Sequence, residues 1–227
     1  MQTHIWEKEY QNRRLVTCDA KPQKFFLKFL KFLKKEGVSI DKLKILDLGS
    51  GTGRNANYLV ERGAKVLGME IAKNALDLAR KRSLELGLKL DYLHQSIGEI
   101  YPFPDKSFDL VLDITSSNSL NEDERKVYLS EVGRVLRPKG YFFVRALCLD
   151  GDRNARNLLR DCPGPEESTY IMPKIGLVER VFSRQNFLET YKNFRLIKLE
   201  RQIAYTSFGN QSYKRNFWLG VFGSYTI

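Results

Sequence analysis

Lys44-Ile45-Leu46-Asp47-Leu48-Gly49-Ser50-Gly51-Thr52-Gly53-Arg54-Asn55 is the stretch from which the rest of the chain is read. Ile45, Leu46 and Leu48 make a short apolar run, which predicts a buried strand over 44–48. The run breaks into Gly-Ser-Gly-Thr-Gly, and a helix is expected over 54–62. A strand that ends in a glycine turn and feeds a helix is a ligand-binding arrangement. Glycines reach positive φ and let a ligand approach the backbone, while the helix N-terminus offers free N–H groups to an anion. The dinucleotide fingerprint is G-x-G-x-x-G; here Gly49, Gly51 and Gly53 are spaced G-x-G-x-G instead.

Downstream the chain alternates strand and helix. Strands are expected over 65–70, 89–95, 108–114 and 141–147, with helices over 72–86 and 122–136. Repeated β-α units of this length predict a parallel sheet covered on both faces. Ligands of such sheets lie beyond the carboxyl ends of the strands, where the strand order switches.

Four motifs follow one another in this frame. Asp47 stands two residues before Gly49. Glu70, at the end of the second strand, lies 17 residues past Gly53 (70 − 53). Pro102-Phe103-Pro104-Asp105-Lys106-Ser107-Phe108-Asp109-Leu110-Val111 precedes the fourth strand, and Arg134-Val135-Leu136-Arg137-Pro138-Lys139-Gly140 precedes the fifth. Together these resemble the class I S-adenosylmethionine (SAM) methyltransferases, of the type found in ubiquinone and menaquinone biosynthesis, with Lys139 where that family has a glycine. The resemblance implies an α/β three-layer sandwich. Its seven-stranded, mostly parallel sheet has the order 3-2-1-4-5-7-6, strand seven antiparallel, with helices on both faces. The last two strands are expected at Arg195 to Ser207 and Lys214 to Phe222, joined by a turn at Gly209-Asn210-Gln211-Ser212. A helix capped by Ser183 is expected before them, to about Asn193.

The same resemblance implies a site. Asp47, Gly49, Ser50, Gly51, Gly53 and Asn55 surround the amino-acid end of SAM, with Arg54 near its carboxylate. Glu70 takes the ribose and Ile71 packs on adenine. Ser96, Ile97 and Gly98 hold the adenine from the other side; Ile97 stands where many relatives carry an acid. Asp113, at the end of the fourth strand, is a candidate catalytic base, a ligand for the amino end of SAM, or a structural carboxylate. Cys148 is read as a buried thiol, because the motif of nucleophilic cysteine methyltransferases is missing around it.

The decorations are read separately. A helix over 4–17 carries Trp6 and Tyr10 one turn apart, either as a lid on the SAM pocket or as a packing pair. The next helix, from Pro22 to Lys35, carries an apolar face of Phe25, Phe26, Phe29, Leu30, Phe32 and Leu33. Its stripe of Lys24, Lys28, Lys31 and Lys35 faces a membrane, a nucleic acid or water. Residues 1–40 are thus expected to form a cap, and 41–227 the SAM-binding domain. An insertion over about 149–182 shapes the acceptor pocket. Within it, Arg153, Arg156 and Arg160 share a helix face that binds an anionic acceptor or lies in solvent.

Composition limits the function. The chain has 227 residues, enough for one domain with decorations. No run approaches the roughly 20 apolar residues of a membrane span, and Met1 to Ala20 is polar, unlike a signal peptide. The three cysteines and two histidines show no metal-ligand spacing, so a reduced, cytoplasmic, metal-free protein is expected. Net charge is +11, which leaves RNA open as a partner. The expected activity is methyl transfer from SAM to a small, anionic or neutral acceptor, with S-adenosylhomocysteine as product. An RNA methyltransferase and a non-catalytic SAM-binding module are the alternatives.

Overall fold

The structure is a computed structural model, which describes residues 2–12, 14–16, 19–208 and 211–224. Helix α1 (Thr3–Gln11) and α2 (Lys24–Lys35) precede β1 (Lys44–Leu48), α3 (Arg54–Val60), β2 (Lys65–Glu70), α4 (Lys73–Glu85) and β3 (Asp91–His94). Then come β4 (Phe108–Ile114), α5 (Glu122–Val135), β5 (Leu136–Leu147), α6 (Arg153–Asp161), β6 (Thr169–Ile171) and β7 (Val178–Arg180). Helix α7 (Arg184–Thr190) and the hairpin β8 (Arg195–Phe208) and β9 (Gln211–Gly223) close the chain.

The main sheet has the order β3-β2-β1-β4-β5-β9-β8. Strands β1 to β5 run parallel, and β9 is antiparallel to both β5 and β8. Counting the strands of this sheet alone, that is the order 3-2-1-4-5-7-6. The alternation of side chains along each strand makes both faces. Ile45, Leu110, Leu112 and Phe143 pack with Phe25, Phe26, Phe29 and Leu33 of α2. Their neighbours Leu46, Leu48, Val111, Phe142 and Val144 pack with Tyr128 and Val132 of α5 and Phe187 of α7. The lysine stripe of α2 stays exposed, with Lys28 3.0 Å from Glu200.

Several boundaries differ from the sequence reading. The first helix stops at Gln11 rather than 17, because the buried Glu9 carboxylate accepts the N–H groups of Arg14, Leu15 and Val16 and turns the chain. The insertion holds the expected helix, α6, and adds the β6–β7 hairpin; they surround Tyr170, Leu177 and Val181, packed on Leu147 and Phe217. Asp152 ties it to the sheet, capping α6 through Ala155 N–H (2.8 Å) and accepting from Arg215 Nε (3.0 Å). Gly209 and Asn210 of the expected turn lie outside the described residues, and Gln211 and Ser212 belong to β9. Lys139 takes φ +65°, the left-handed conformation glycine favours, at a cost of roughly 1 kcal/mol. Among the described residues no helix is long and apolar enough to cross a membrane.

Candidate active site

The carboxyl ends of β1, β2, β4 and β5 open into one cavity of about 1290 Å³. Single ligand clefts run to roughly 300–1,000 Å³, so this one has room for two molecules side by side.

Its first wall is the turn after β1. Gly49, Gly51 and Gly53 have φ of +64°, +55° and +74°. A Cβ on Gly49 would lie 2.0 Å from Ser116 Oγ, which itself donates to the Leu48 carbonyl at 2.8 Å. The turn therefore needs glycine for space as well as for φ. Gly49, Ser50, Gly51 and Thr52 line the cavity, whereas Gly53 does not. Gly53 is the left-handed residue that starts α3, and its Cα faces the Tyr92 hydroxyl. Its expected ligand role is corrected to a structural one.

Asp47, Ser50, Asn55 and Glu70 bring polar groups to this wall. Asp47 Oδ2, Ser50 Oγ and Asn55 Oδ1 are buried without a hydrogen-bond partner. Buried polar atoms are ordinarily satisfied, so three orphans clustered on this wall mark a place where a polar ligand belongs; Gln23 Oε1 and Ser119 Oγ are orphaned elsewhere around the cavity. Burial first, then Glu70 and Asp113, push the Asp47 carboxyl up to about 7, against the pull of Arg54. Glu70 is 5% exposed. Its Oε1 accepts from the N–H groups of Ile71 and Ala72, and its Oε2 from Gly51, all at 2.9 Å. Oε2 thus keeps a lone pair for a further donor. Burial raises the Glu70 pKa, opposed by those three N–H groups.

Ile71, Ser96 and Ile97 line the cavity beside Glu70; Gly98 does not. Gly98 donates to Ser96 Oγ at 3.1 Å and packs against Glu124, which leaves it a structural part. The largest correction is Asp113. It is 0% exposed and off the cavity wall. Its Oδ1 accepts from the N–H groups of Ser116 (2.9 Å) and Ser117 (3.2 Å), and its Oδ2 from the Tyr128 hydroxyl (2.6 Å). A carboxylate so enclosed cannot reach an acceptor; it holds the loop after β4 in place. Cys148 is buried and off the cavity wall too, and burial pushes its thiol up to about 12, in keeping with the expected buried thiol.

The opposite wall comes from β5, α6, β8 and β9. Arg145, Leu147, Asn157, Leu158, Phe208 and Phe217 face the cavity there. Arg153, Arg156 and Arg160 do not: they are exposed on the far side of α6, and Arg160 bonds Asp161 at 2.7 Å. The face of α6 turned inward carries Asn154, Asn157, Leu158 and Asp161 instead. Arg145 was not anticipated, and its one signal was a lone charge in the apolar run Tyr141 to Leu147.

Helix α1 crosses the mouth. Trp6 and Tyr10 line the cavity with ring centroids 6.5 Å apart. Gln2 holds one end, donating to Ser119 and Val178 carbonyls at 2.8 Å. Glu7, at the middle of α1, accepts from Lys73 and Asn74 N–H at the start of α4.

Residues 46–144 match the family model described as "Methyltransferase domain". The match is to a methyltransferase domain and takes in less than half of the chain. A fatty-acid O-methyltransferase of Mycolicibacterium smegmatis is 36% identical over 105 residues, 45% of this chain and 36% of that protein. A ubiquinone biosynthesis O-methyltransferase of Photobacterium profundum is 29% identical over 131 residues, 58% of this chain and 53% of its own. The chain thus spans little more than half, or less, of the length of these relatives. Among solved structures, a SAM-dependent methyltransferase of Methanosarcina mazei superposes with a TM-score of 0.75 at 20% identity, covering 90% of this chain and 98% of the other. That likeness is one of fold. The matched residues hold the glycine turn and most of strands β1 to β5; α1, α2, the insertion and the β8–β9 hairpin lie outside them.

Proposed function

We propose that the protein transfers the methyl group of SAM to a small acceptor, both bound in the single cavity. The observation that carries this reading is the set of orphaned acceptors Asp47 Oδ2, Ser50 Oγ and Asn55 Oδ1 beside the buried Glu70. In this reading the free lone pair of Glu70 Oε2 takes a ribose hydroxyl. Asp47, Ser50 and Asn55 take the amino-acid end, where an Asp47 carboxylate poised near neutral pH meets an ammonium. Ile71 and Ile97 wall the adenine, with Ser96 at its edge. When bound, SAM supplies a methyl group made electrophilic by its sulfonium.

The chain's own work is then positioning and the exclusion of water. Residues 1–40 act as a cap, with Trp6 and Tyr10 of α1 as the lid over the mouth. The wall from β5, α6 and the β8–β9 hairpin receives the acceptor. The names of the two relatives, acting in fatty-acid and ubiquinone O-methylation, support a small acceptor with an apolar body, methylated on oxygen. The free thiols Cys148 and Cys162 fit a reducing compartment, and the cytoplasm is the place this reading assigns.

The test is incubation of the protein with methyl-labelled SAM and fractionated cell extract. Label is expected in a small, solvent-extractable product, with S-adenosylhomocysteine formed in equal amount. SAM bound tightly but never turned over would favour a non-catalytic module, and label in RNA would displace the small acceptor.

A further inference from the structure

Among the described residues six cations reach the cavity, and the three from the sheet and the glycine turn, Arg54, Arg145 and Arg215, are unequally matched. Arg215 is neutralised by Asp152 at 3.0 Å and bonded to the Tyr170 hydroxyl. Arg54 feels Asp19 and Asp47. Arg145 has no such partner. It is 7% exposed, yet it lines the cavity. Of its five N–H donors, one is used, from Nε to Gln202 Oε1 at 3.3 Å. Among the described residues no carboxylate lies within ion-pair distance of it. Its guanidinium sits 3.4 Å from the ring centroid of Phe217 and 4.6 Å from that of Phe25. Burial first, and then Arg54, pull its pKa down to about 9, still charged at neutral pH.

A buried charge without a counter-charge is costly and uncommon. Two aromatic rings offset part of that cost and restrict approach to the guanidinium's edge. That edge presents paired N–H groups with the spacing of a carboxylate's two oxygens. The surrounding wall mixes apolar Leu147, Leu158, Met172, Phe208 and Phe217 with polar Asn154, Asn157 and Asp161 of α6.

We infer that Arg145 is the recognition group for a carboxylate on the acceptor, and that the acceptor is a monocarboxylate with an apolar body. This rests on the methyltransferase reading above. The carboxylate of SAM itself is the rival source of the charge. Strand β5 lies two strands away from β1, across β4. At about 4.8 Å per strand that is roughly 10 Å from the glycine turn, and Arg54, directly after that turn, is the cation suited to the cofactor.

The experiment is calorimetry on the full chain saturated with S-adenosylhomocysteine. Benzoate, octanoate and decanoate are titrated beside their primary amides. At least one carboxylate is expected to bind and its amide to fail. Arg145→Gln should weaken that binding about 10- to 100-fold, and Arg145→Lys should restore part of it. SAM affinity, measured separately, should be the same in wild type and both variants. Equal binding of acid and amide by the wild type, or no carboxylate bound, overturns the inference without needing any variant. A drop in SAM affinity in Arg145→Gln also overturns it, by giving Arg145 to the cofactor. Failure of the wild type to bind SAM at all would instead remove the methyltransferase reading on which the inference stands.

Discussion

The two halves of the cavity, one centred on the carboxylates Asp47 and Glu70 and the other on Arg145, are assembled over different distances along the chain. The half at β1 and β2 is acidic and local: Asp47, Ser50, Asn55 and Glu70 fall within one β-α-β unit. The half at β5 is basic and long-range: Arg145 meets Phe25, Gln202 and Phe217, drawn from α2, β8 and β9. Glycine turns and strand-end acids obey fixed local geometry, so the first half shows itself as a motif. The second exists after the sheet has closed. The difference explains how a family can keep its cofactor and exchange its acceptor.

The largest effect is expected at Gly49. Gly49→Val places a branched side chain at φ +64°, with its Cβ on Ser116. SAM binding by calorimetry is expected to vanish, a loss beyond about 100-fold, with the far-ultraviolet dichroism kept; a folded variant that binds SAM normally would place the pocket elsewhere. Next comes Asp113, which belongs to neither half. Asp113→Asn should cost about 2–3 kcal/mol in urea unfolding, because a buried acceptor of three hydrogen bonds is compromised. Unchanged stability would free Asp113 for chemistry.

Smaller is the effect of pH on the acidic half. The folded Asp47 value, about 7, lies above its ordinary 3.8. The cofactor-free fold therefore holds an extra proton between those values, and this group's contribution to stability is full below the lower one and lost as pH rises through the upper. A bound ammonium favours the ionised form, so SAM affinity should rise about tenfold from pH 6 to 8 and become flat in Asp47→Asn. A pH-independent wild type would remove Asp47 from the cofactor's amino end. The smallest effect is expected from Arg153, Arg156 and Arg160 changed together to Gln. These side chains face solvent, so labelled-methyl transfer should stay within about twofold of wild type; a larger loss would return them to the acceptor site.

Most of the architecture could be read in advance. Strands β1, β2 and β4 fall where the apolar runs placed them, and the sheet order is the expected one. In the acidic half, Asp47, Gly49, Ser50, Gly51, Asn55, Glu70, Ile71, Ser96 and Ile97 all line the cavity; their roles toward SAM are the proposal. Gly53, Gly98 and Asp113 follow or end the same strands but turn into protein. Spacing marks the strand end, and the side chain's direction depends on neighbours such as Tyr92, Glu124 and Tyr128. The arginine face of α6 was visible as a periodicity. Which way it points is set by Asp152 tying α6 to β9, a contact between residues 63 positions apart. Arg145 was hidden for the same reason, since the rings flanking it arrive from 120 residues before it and 72 after it (145 − 25, 217 − 145).

The most direct test of the account is calorimetric titration of SAM into wild type and Glu70→Ala. Glu70 is the buried carboxylate at the end of β2, where the account seats the ribose. Wild type should bind SAM with one site per chain, and Glu70→Ala should bind about 1.5–3 kcal/mol more weakly, the range for hydrogen bonds to a charged group. A folded Glu70→Ala protein with undiminished SAM affinity would contradict the placement of the cofactor, and with it the division of the cavity into two halves.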